Sequence, residues 1–151
     1  MKSKLCLALI VCSASWFSLS KAYANECLLS KPNLIDPVGA LKSSDNFGWF
    51  GSESLAMMIP HDGHWKGFKS WWWYKGYKME SRTAYKLKIA ARNLGNSQEI
   101  VIRSPSDAQQ GSDNYTWDSM ITAIELPEAG CWQIIASYEN KKLYITLLVG
   151  E

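Results

Sequence analysis

The sequence predicts an all-β domain, either an antiparallel sandwich or a small barrel. Apolar residues recur mostly at every second position in short runs, which is the spacing of strands with one buried face. Turn signals rich in Gly, Pro, Asp and Asn separate these runs. No stretch has a persuasive helical spacing of apolar residues. About eight strands at such intervals are typical of sandwiches and barrels.

Several segments predict strands individually, and turn signals divide them. They are 55–59, 71–74, 85–92, 99–103, 121–126, 131–138 and 143–149. The Asp62-Gly63 pair predicts a turn between the first two segments. Polar residues 139–142 predict a hairpin turn between the last two. The Ser-, Asp-, Gln- and Gly-rich stretch from Pro105 to Asp113 predicts a long surface loop.

Residues 1–24 have the features of a secretory signal peptide. A basic start precedes an apolar run, and Ala22 and Ala24 place small residues where a signal peptidase cleaves. A membrane anchor is the alternative, but serines interrupt the run well short of the roughly 20 apolar residues that span a bilayer. We therefore expect a mature domain of residues 25–151, located in the periplasm or outside the cell.

Length and composition indicate one ordinary globular domain. The chain has 151 residues, of which 47% are hydrophobic and 20% are charged, and these values exclude a disordered tail. The formal net charge is +2, from 16 basic and 14 acidic residues. Cleavage removes Lys2, Lys4 and Lys21, which leaves 13 basic residues and a net charge of −1. A highly basic nucleic-acid binder is therefore excluded.

The cysteines agree with export. Cys6 and Cys12 belong to the signal segment, so the mature chain keeps one pair, Cys27 and Cys131. An even number of cysteines in an oxidising compartment predicts a disulfide. This disulfide would tie the N-terminus to a strand near the C-terminus. Two unpaired buried thiols are the alternative.

Three local patterns together resemble a known kind of domain. Segment 126–134 has a Pro-x-x-Gly turn that leads into a strand with alternating apolar residues around Trp132. With the Pro-x-Asp-Gly-x-Trp turn at 60–65 and the Trp-rich strand at 71–73, it resembles a group of uncharacterised secreted bacterial proteins. The resemblance covers roughly residues 47–149 and implies an immunoglobulin-like antiparallel β-sandwich of about eight strands. It implies no catalytic residue.

The Trp-rich strand is the main candidate for a functional surface. Alternate side chains of a strand point to opposite faces, so Trp71 and Trp73 share one face and Trp72 and Tyr74 share the other. The sequence leaves open which pair faces the core. If Trp72 faces the core, Trp71 and Trp73 lie on the outer surface.

Charge is distributed unevenly around this strand. Residues 65–92 carry a local charge of +7, whereas residues 98–128 carry −5. Aromatic and basic side chains together suit an anionic glycan or an acidic protein surface. The residues that we predict to form this surface are Trp71, Trp73, Lys75 and Lys78. Alternatively, the tryptophans are core packing and the lysines only solvate the sheet.

His61 and His64, with Asp62 between them, are weak candidates for a zinc or copper site. In a loop, this spacing does not hold both rings on one side, and the sequence contains only these 2 histidines. The alternative is a solvated turn, which Asp62-Gly63 already explains. We therefore expect no cofactor.

The sequence has no nucleophile elbow, no phosphate-binding loop and no zinc-protease motif. We therefore expect an exported, non-catalytic binding or accessory protein. We expect a monomer that does not span a membrane, does not bind nucleic acid and acts on an envelope protein or glycan. An alternative is an inhibitor or immunity protein against an envelope-targeting enzyme, with residues 105–117 as an inserting loop.

Overall fold

The computed structural model describes residues 27–33, 35–67, 69–112 and 115–150, so the predicted signal peptide at 1–24 lies outside the described residues. The described residues form ten strands and two short 3-10 turns, at Met79–Ser81 and Ala84–Lys86, which confirms the all-β prediction. The strands are β1 (Phe47–Gly51), β2 (Leu55–Pro60), β3 (His64–Trp65), β4 (Lys69–Tyr74), β5 (Lys88–Asn93), β6 (Glu99–Ile102), β7 (Ser106–Ser112), β8 (Tyr115–Ala123), β9 (Gly130–Tyr138) and β10 (Lys141–Val149). No helix of the described part has the length and apolar character needed to cross a membrane.

The strands form two five-stranded sheets. The first sheet has the order β1-β2-β4-β8-β7, and the second has the order β3-β10-β9-β5-β6. All pairs are antiparallel except β3 with β10, which are parallel. Strands β2, β4, β8 and β7 thus take the places of A, B, E and D in an immunoglobulin domain, and β10, β9 and β5 take those of G, F and C. The predicted β-sandwich is confirmed, with this immunoglobulin-like strand order, but the described residues form ten strands where about eight were predicted.

The predicted surface loop from Pro105 to Asp113 is wrong, because most of it is strand β7. This strand forms a long hairpin with β8, in register from Ser106 opposite Ile121 to Ser112 opposite Tyr115. Its sequence is polar because β7 is an edge strand of the first sheet. An edge strand with little buried surface lacks the apolar alternation from which strands are predicted.

The predicted strand at 85–92 begins later than expected. Residues Ala84–Lys86 form a 3-10 turn, and β5 starts at Lys88. Leu87, Ile89 and Ala91 are buried as the alternation predicts, whereas Tyr85 is exposed on the turn. The backbone N–H of Leu87 donates to the carbonyl of Ala84, which takes the chain out of strand geometry there.

The core lies between the two sheets. On β9, every second side chain is buried, namely Trp132, Ile134, Ala136 and Tyr138. Trp72 of β4 reaches the same core from the first sheet. Trp65 also lies in this core, where its indole N–H donates to the Ile124 carbonyl over 2.9 Å. Alternating side chains from both inner faces therefore fill the sandwich.

The predicted disulfide between Cys27 and Cys131 is present. Its Cα atoms are 5.6 Å apart, and the two cysteines are 104 residues apart in sequence. After Cys27, the chain runs beside both sheets. The N–H of Ser30 donates to the Thr146 carbonyl of β10 over 3.0 Å, and the N–H of Asn33 donates to the Trp49 carbonyl of β1 over 2.7 Å. The disulfide thus fixes the start of a segment that continues onto the first sheet.

Candidate functional site

Strand β4 has Trp72 on the inner face and Trp71 and Trp73 on the outer face. Trp72 is fully buried and lies in register with Met57 of β2 and Met120 of β8, both of which are also fully buried. Because side chains alternate along a strand, the neighbours of Trp72 must point away from the second sheet. The sequence did not specify which face of β4 is buried, and the structure places Trp71 and Trp73 on the outer face.

The outer face of the first sheet is itself largely apolar around these tryptophans. Trp71 lies between Met58 of β2 and Ile121 of β8 in the sheet register. Trp73 lies opposite Ala56. A second apolar cluster, separate from the main core, forms here from Trp49, Ala56, Met58 and Trp73 with Ala40.

A segment that precedes β1 covers part of this outer face. We call residues 35–43 the N-terminal strap. Ala40 of the strap is buried in the outer cluster, and Leu41 packs against it. The indole N–H of Trp49 donates to the Leu41 carbonyl over 2.7 Å, which holds the strap on β1.

Hydrogen bonds to the Asp36 carboxylate also join the two ends of the strap. The hydroxyl and the backbone N–H of Ser43 both donate to Asp36, the second over 3.1 Å. The two predicted tryptophans therefore differ in exposure. Trp73 is only 6% exposed, whereas Trp71 is half-buried and reaches solvent. Trp73 therefore packs inside the protein in this arrangement, and Trp71 offers the accessible aromatic surface.

The two predicted lysines lie in different places. Lys75 is exposed and lines a groove with Trp73. Lys78 is exposed but pairs with Asp118 of β8, with Nζ 3.5 Å from the carboxylate. Asp118 alternates with the buried Met120 and so belongs to the inner side of the first sheet. The structure therefore brings Trp71, Trp73 and Lys75 to one face and leaves Lys78 outside it.

The groove beside Trp73 has mixed character. Its volume is about 230 Å³, and the residues that line it are Asn33, Ile35, Asp36, Pro37, Val38, Glu53, Trp73 and Lys75. Ile35 and Val38 are strongly exposed apolar residues of the strap. One lysine against two carboxylates gives the groove no excess of positive charge.

A second depression, of about 310 Å³, lies beside Trp71 and differs in charge. The residues that line it are Lys69, Arg103, Ser104, Ser106, Ile121, Thr122 and Ala123. Lys69 is two residues before Trp71 on the same face of β4, and Ile121 lies opposite Trp71. We call Lys69, Trp71, Arg103 and this depression the aromatic-basic surface.

The aromatic-basic surface has cations without counter-charges. In the part of the chain that the structure describes, neither Lys69 nor Arg103 forms an ion pair, and the lining contains no carboxylate. Arg103 is the only basic residue in the acidic stretch 98–128. Arg103 could not be predicted for this surface from the sequence, because only the connection from β6 to β7 brings Arg103 beside the start of β4.

His61 lies in the turn after β2, and His64 is the first residue of β3. His61 Nε2 donates to the Ser44 carbonyl over 2.9 Å, and His64 Nδ1 is 3.1 Å from the Asp62 carbonyl. Asp62 also accepts the backbone N–H of His64 over 2.9 Å, as a turn aspartate does. Within the described ranges, no three His, Cys, Asp or Glu side chains come together as a metal site would require.

The strongest protonation effect is at Tyr77, which is buried away from the aromatic-basic surface. Its hydroxyl donates to Asp107, and the same carboxylate oxygen accepts the backbone N–H of Ala84 over 2.9 Å. Burial first, and the hydrogen bond to Asp107 second, raise the pKa of Tyr77 far above its ordinary value of 10.0. This contact joins β7 to the 3-10 turns and is structural.

Comparisons with protein-family models, with curated proteins and with solved structures found no match to this chain. The resemblance to secreted bacterial proteins therefore stays a prediction.

Proposed function

We propose that this is an exported, non-catalytic binding protein that holds an anionic saccharide on the aromatic-basic surface. One observation carries the proposal. Trp71 reaches solvent on the outer sheet face and lies opposite Ile121, which lines a depression together with Lys69, Arg103 and three hydroxyl-bearing residues but no carboxylate. The proposal of export rests on the signal-like segment 1–24 and on the disulfide.

The chemistry of these groups fits a charged sugar. An indole ring offers a rigid apolar face on which the C–H face of a sugar ring can stack. A guanidinium binds a carboxylate, sulfate or phosphate through two parallel hydrogen bonds, and a lysine adds a point charge. The hydroxyls of Ser104 and Ser106 can donate to or accept from sugar hydroxyls. A neutral sugar would leave both cations unused.

The surface offers binding groups and no obvious base for catalysis. Both histidines of the chain lie around a different depression, together with Pro60 and Lys66. A serine hydroxyl needs an adjacent base to become a nucleophile. The neighbours of Ser104 and Ser106 in the depression are a lysine and an arginine, which are proton donors.

Binding to immobilised saccharides tests this function. The protein, purified after export from cells that express the full chain, is applied to neutral, carboxylated, sulfated and phosphorylated oligosaccharides. We expect retention on anionic members only. Trp71→Ala and Arg103→Ala should each weaken binding about tenfold or more.

Tyr144→Ala is the matched control, because Tyr144 is an exposed aromatic residue on the other sheet. It should leave saccharide binding unchanged, and circular dichroism should show that all variants are folded. Retention that does not depend on Trp71, or no retention on any saccharide, would rule out the proposed function.

A further inference from the structure

An apolar row crosses the outer face of the second sheet, on the other side of the sandwich from the aromatic-basic surface. Tyr144 of β10 lies opposite Ile135 of β9, Ile135 lies opposite Ala90 of β5, and Ala90 lies opposite Val101 of β6. The row therefore runs across four neighbouring strands without a polar residue. Val101 is 88% exposed and Tyr144 is 54% exposed, so both ends of the row are open to solvent.

Basic residues flank this row on both sides. On one side, Lys88 and Lys142 both lie opposite Ser137. On the other side, Arg92 lies opposite Glu99, and the two side chains pair with Nη2 2.8 Å from Oε2. Three cations against one carboxylate leave the face positively charged.

The nearest groups do not neutralise the two lysines. Lys88 Nζ donates to the Tyr85 carbonyl over 3.0 Å, which is an uncharged partner. Lys142 forms no ion pair with any residue that the structure describes. The lysines therefore keep their charge available for a binding partner.

We propose that this face is a docking surface for an acidic protein partner, which covers the apolar row and places carboxylates against Lys88 and Lys142. The outward face of a solvated antiparallel sheet is normally polar. An apolar row with a mainly basic rim is typical of a protein interaction site. This proposal is independent of saccharide binding, because the two surfaces lie on opposite outer faces of the sandwich.

Two other occupants fit less well. A second copy of the chain would bring two positively charged faces together, and like charges oppose that contact. A membrane surface requires apolar groups that reach about 5–10 Å into the headgroup and acyl boundary. The middle of this row, Ala90 and Ile135, is half-buried within the sheet and does not project.

Site-specific photo-crosslinking in the source cells tests the proposal. A photoreactive phenylalanine analogue is placed at position 101 of the full chain, and at position 38 as the matched control. Val38 is 93% exposed but lies on the strap at the opposite face. We expect an adduct with one acidic protein from position 101 and not from position 38.

The partner identified by cross-linking is then purified without the adduct, and its affinity for the wild type and for each variant of this chain is measured. Val101→Asp and the double variant Lys88→Glu with Lys142→Glu should each weaken binding about tenfold or more, and added salt should weaken the wild-type complex. Val38→Asp and Trp71→Ala should leave the affinity unchanged. Failure of the saccharide proposal would alter none of these results.

Four outcomes would overturn the inference. They are no adduct from position 101, an adduct between two copies of the chain, a partner whose affinity is insensitive to the lysine reversals, and co-sedimentation with vesicles of phosphatidylglycerol and phosphatidylcholine that Val101→Asp abolishes. The second outcome would indicate a homodimer, and the fourth would indicate a membrane surface.

Discussion

Replacing Trp73 with alanine should destabilise the protein strongly, although the sequence alone allowed Trp73 to be an open binding residue. Trp73 is 6% exposed and packs with Trp49, Ala56 and Ala40 beneath the N-terminal strap. A tryptophan side chain buries about 200 Å². At about 25 cal/mol per Å² this is about 5 kcal/mol, of which alanine retains a small part. We expect a loss of about 4 kcal/mol, within the usual range of about 3–5 kcal/mol for buried aromatic truncations.

Trp71→Ala is the matched comparison on the same strand and the same face. Trp71 is partly exposed, so its truncation loses a smaller part of the burial term, about 3 kcal/mol. Urea unfolding of both variants, followed by far-UV circular dichroism, gives the two free energies of unfolding if the slopes agree. The difference of about 1 kcal/mol measures the additional cover that the strap provides to Trp73.

An equal loss of unfolding free energy in Trp73→Ala and Trp71→Ala would refute the reasoning. It would mean that Trp73 is as accessible in solution as Trp71 and that the strap does not cover it. Loss of saccharide binding by Trp73→Ala could then be interpreted as loss of a contact. If Trp73→Ala costs more, as expected, Trp71→Ala reports on binding with the smaller loss of stability.

Three further predictions concern stability. Replacing Cys27 and Cys131 together with alanine should cost about 4–5 kcal/mol in urea unfolding, because the bridge spans 104 residues and restricts the unfolded chain. The free energy of unfolding should fall as pH rises above about 10, because the pKa of Tyr77 is raised in the folded state. Above that pH, the unfolded chain loses the tyrosine proton and the folded protein keeps it. Thermal unfolding between about pH 9 and pH 11 should show a smaller pH dependence for Tyr77→Phe than for the wild type. Gly51→Ala should lower the free energy of unfolding by more than about 2 kcal/mol, because its φ is +133° and the new Cβ would lie 2.5 Å from the Leu55 carbonyl oxygen.

Each of these predictions has a control. Reduction of the wild type with dithiothreitol should reproduce the cysteine variant, and a loss below about 1 kcal/mol would contradict the chain-entropy argument. An alkaline slope that Tyr77→Phe leaves unchanged would assign that slope to other groups. Gly76→Ala is the control for Gly51→Ala, since Gly76 has φ +85° but open space around the new Cβ. An equal loss of unfolding free energy in the two variants would show that the positive φ, and not the contact with the Leu55 carbonyl oxygen, causes the loss.

Much of the fold could be predicted from local pattern. Buried residues recur at every second position of β9 and of most of β10, because one face of each strand is core, although Ile135 and Tyr144 also place apolar residues on the outer face. Strand β7 could not be predicted, because its sequence contains no apolar alternation, and it is identified only by its pairing with β8. Strand β3 has only two residues, too few to show any period.

The candidate site was predictable in composition but not in arrangement. Trp71, Trp73 and Lys75 lie on one outer face, a register that the sequence left open, whereas Lys78 turns toward Asp118. Arg103 joins Lys69 only through the connection between the two sheets. Such a contact depends on which strands pair, and local sequence does not specify strand pairing.

The sequence by itself determined most of the strands, the disulfide pair and the concentration of aromatic and basic residues in one region. The tertiary structure decided which tryptophan is accessible. Trp71, Trp72 and Trp73 are consecutive apolar residues, so β4 has no alternation from which its register could be predicted. The physical reason is that both faces of this strand are covered, the inner face by the second sheet and much of the outer face by the strap. Trp71 lies where that cover ends.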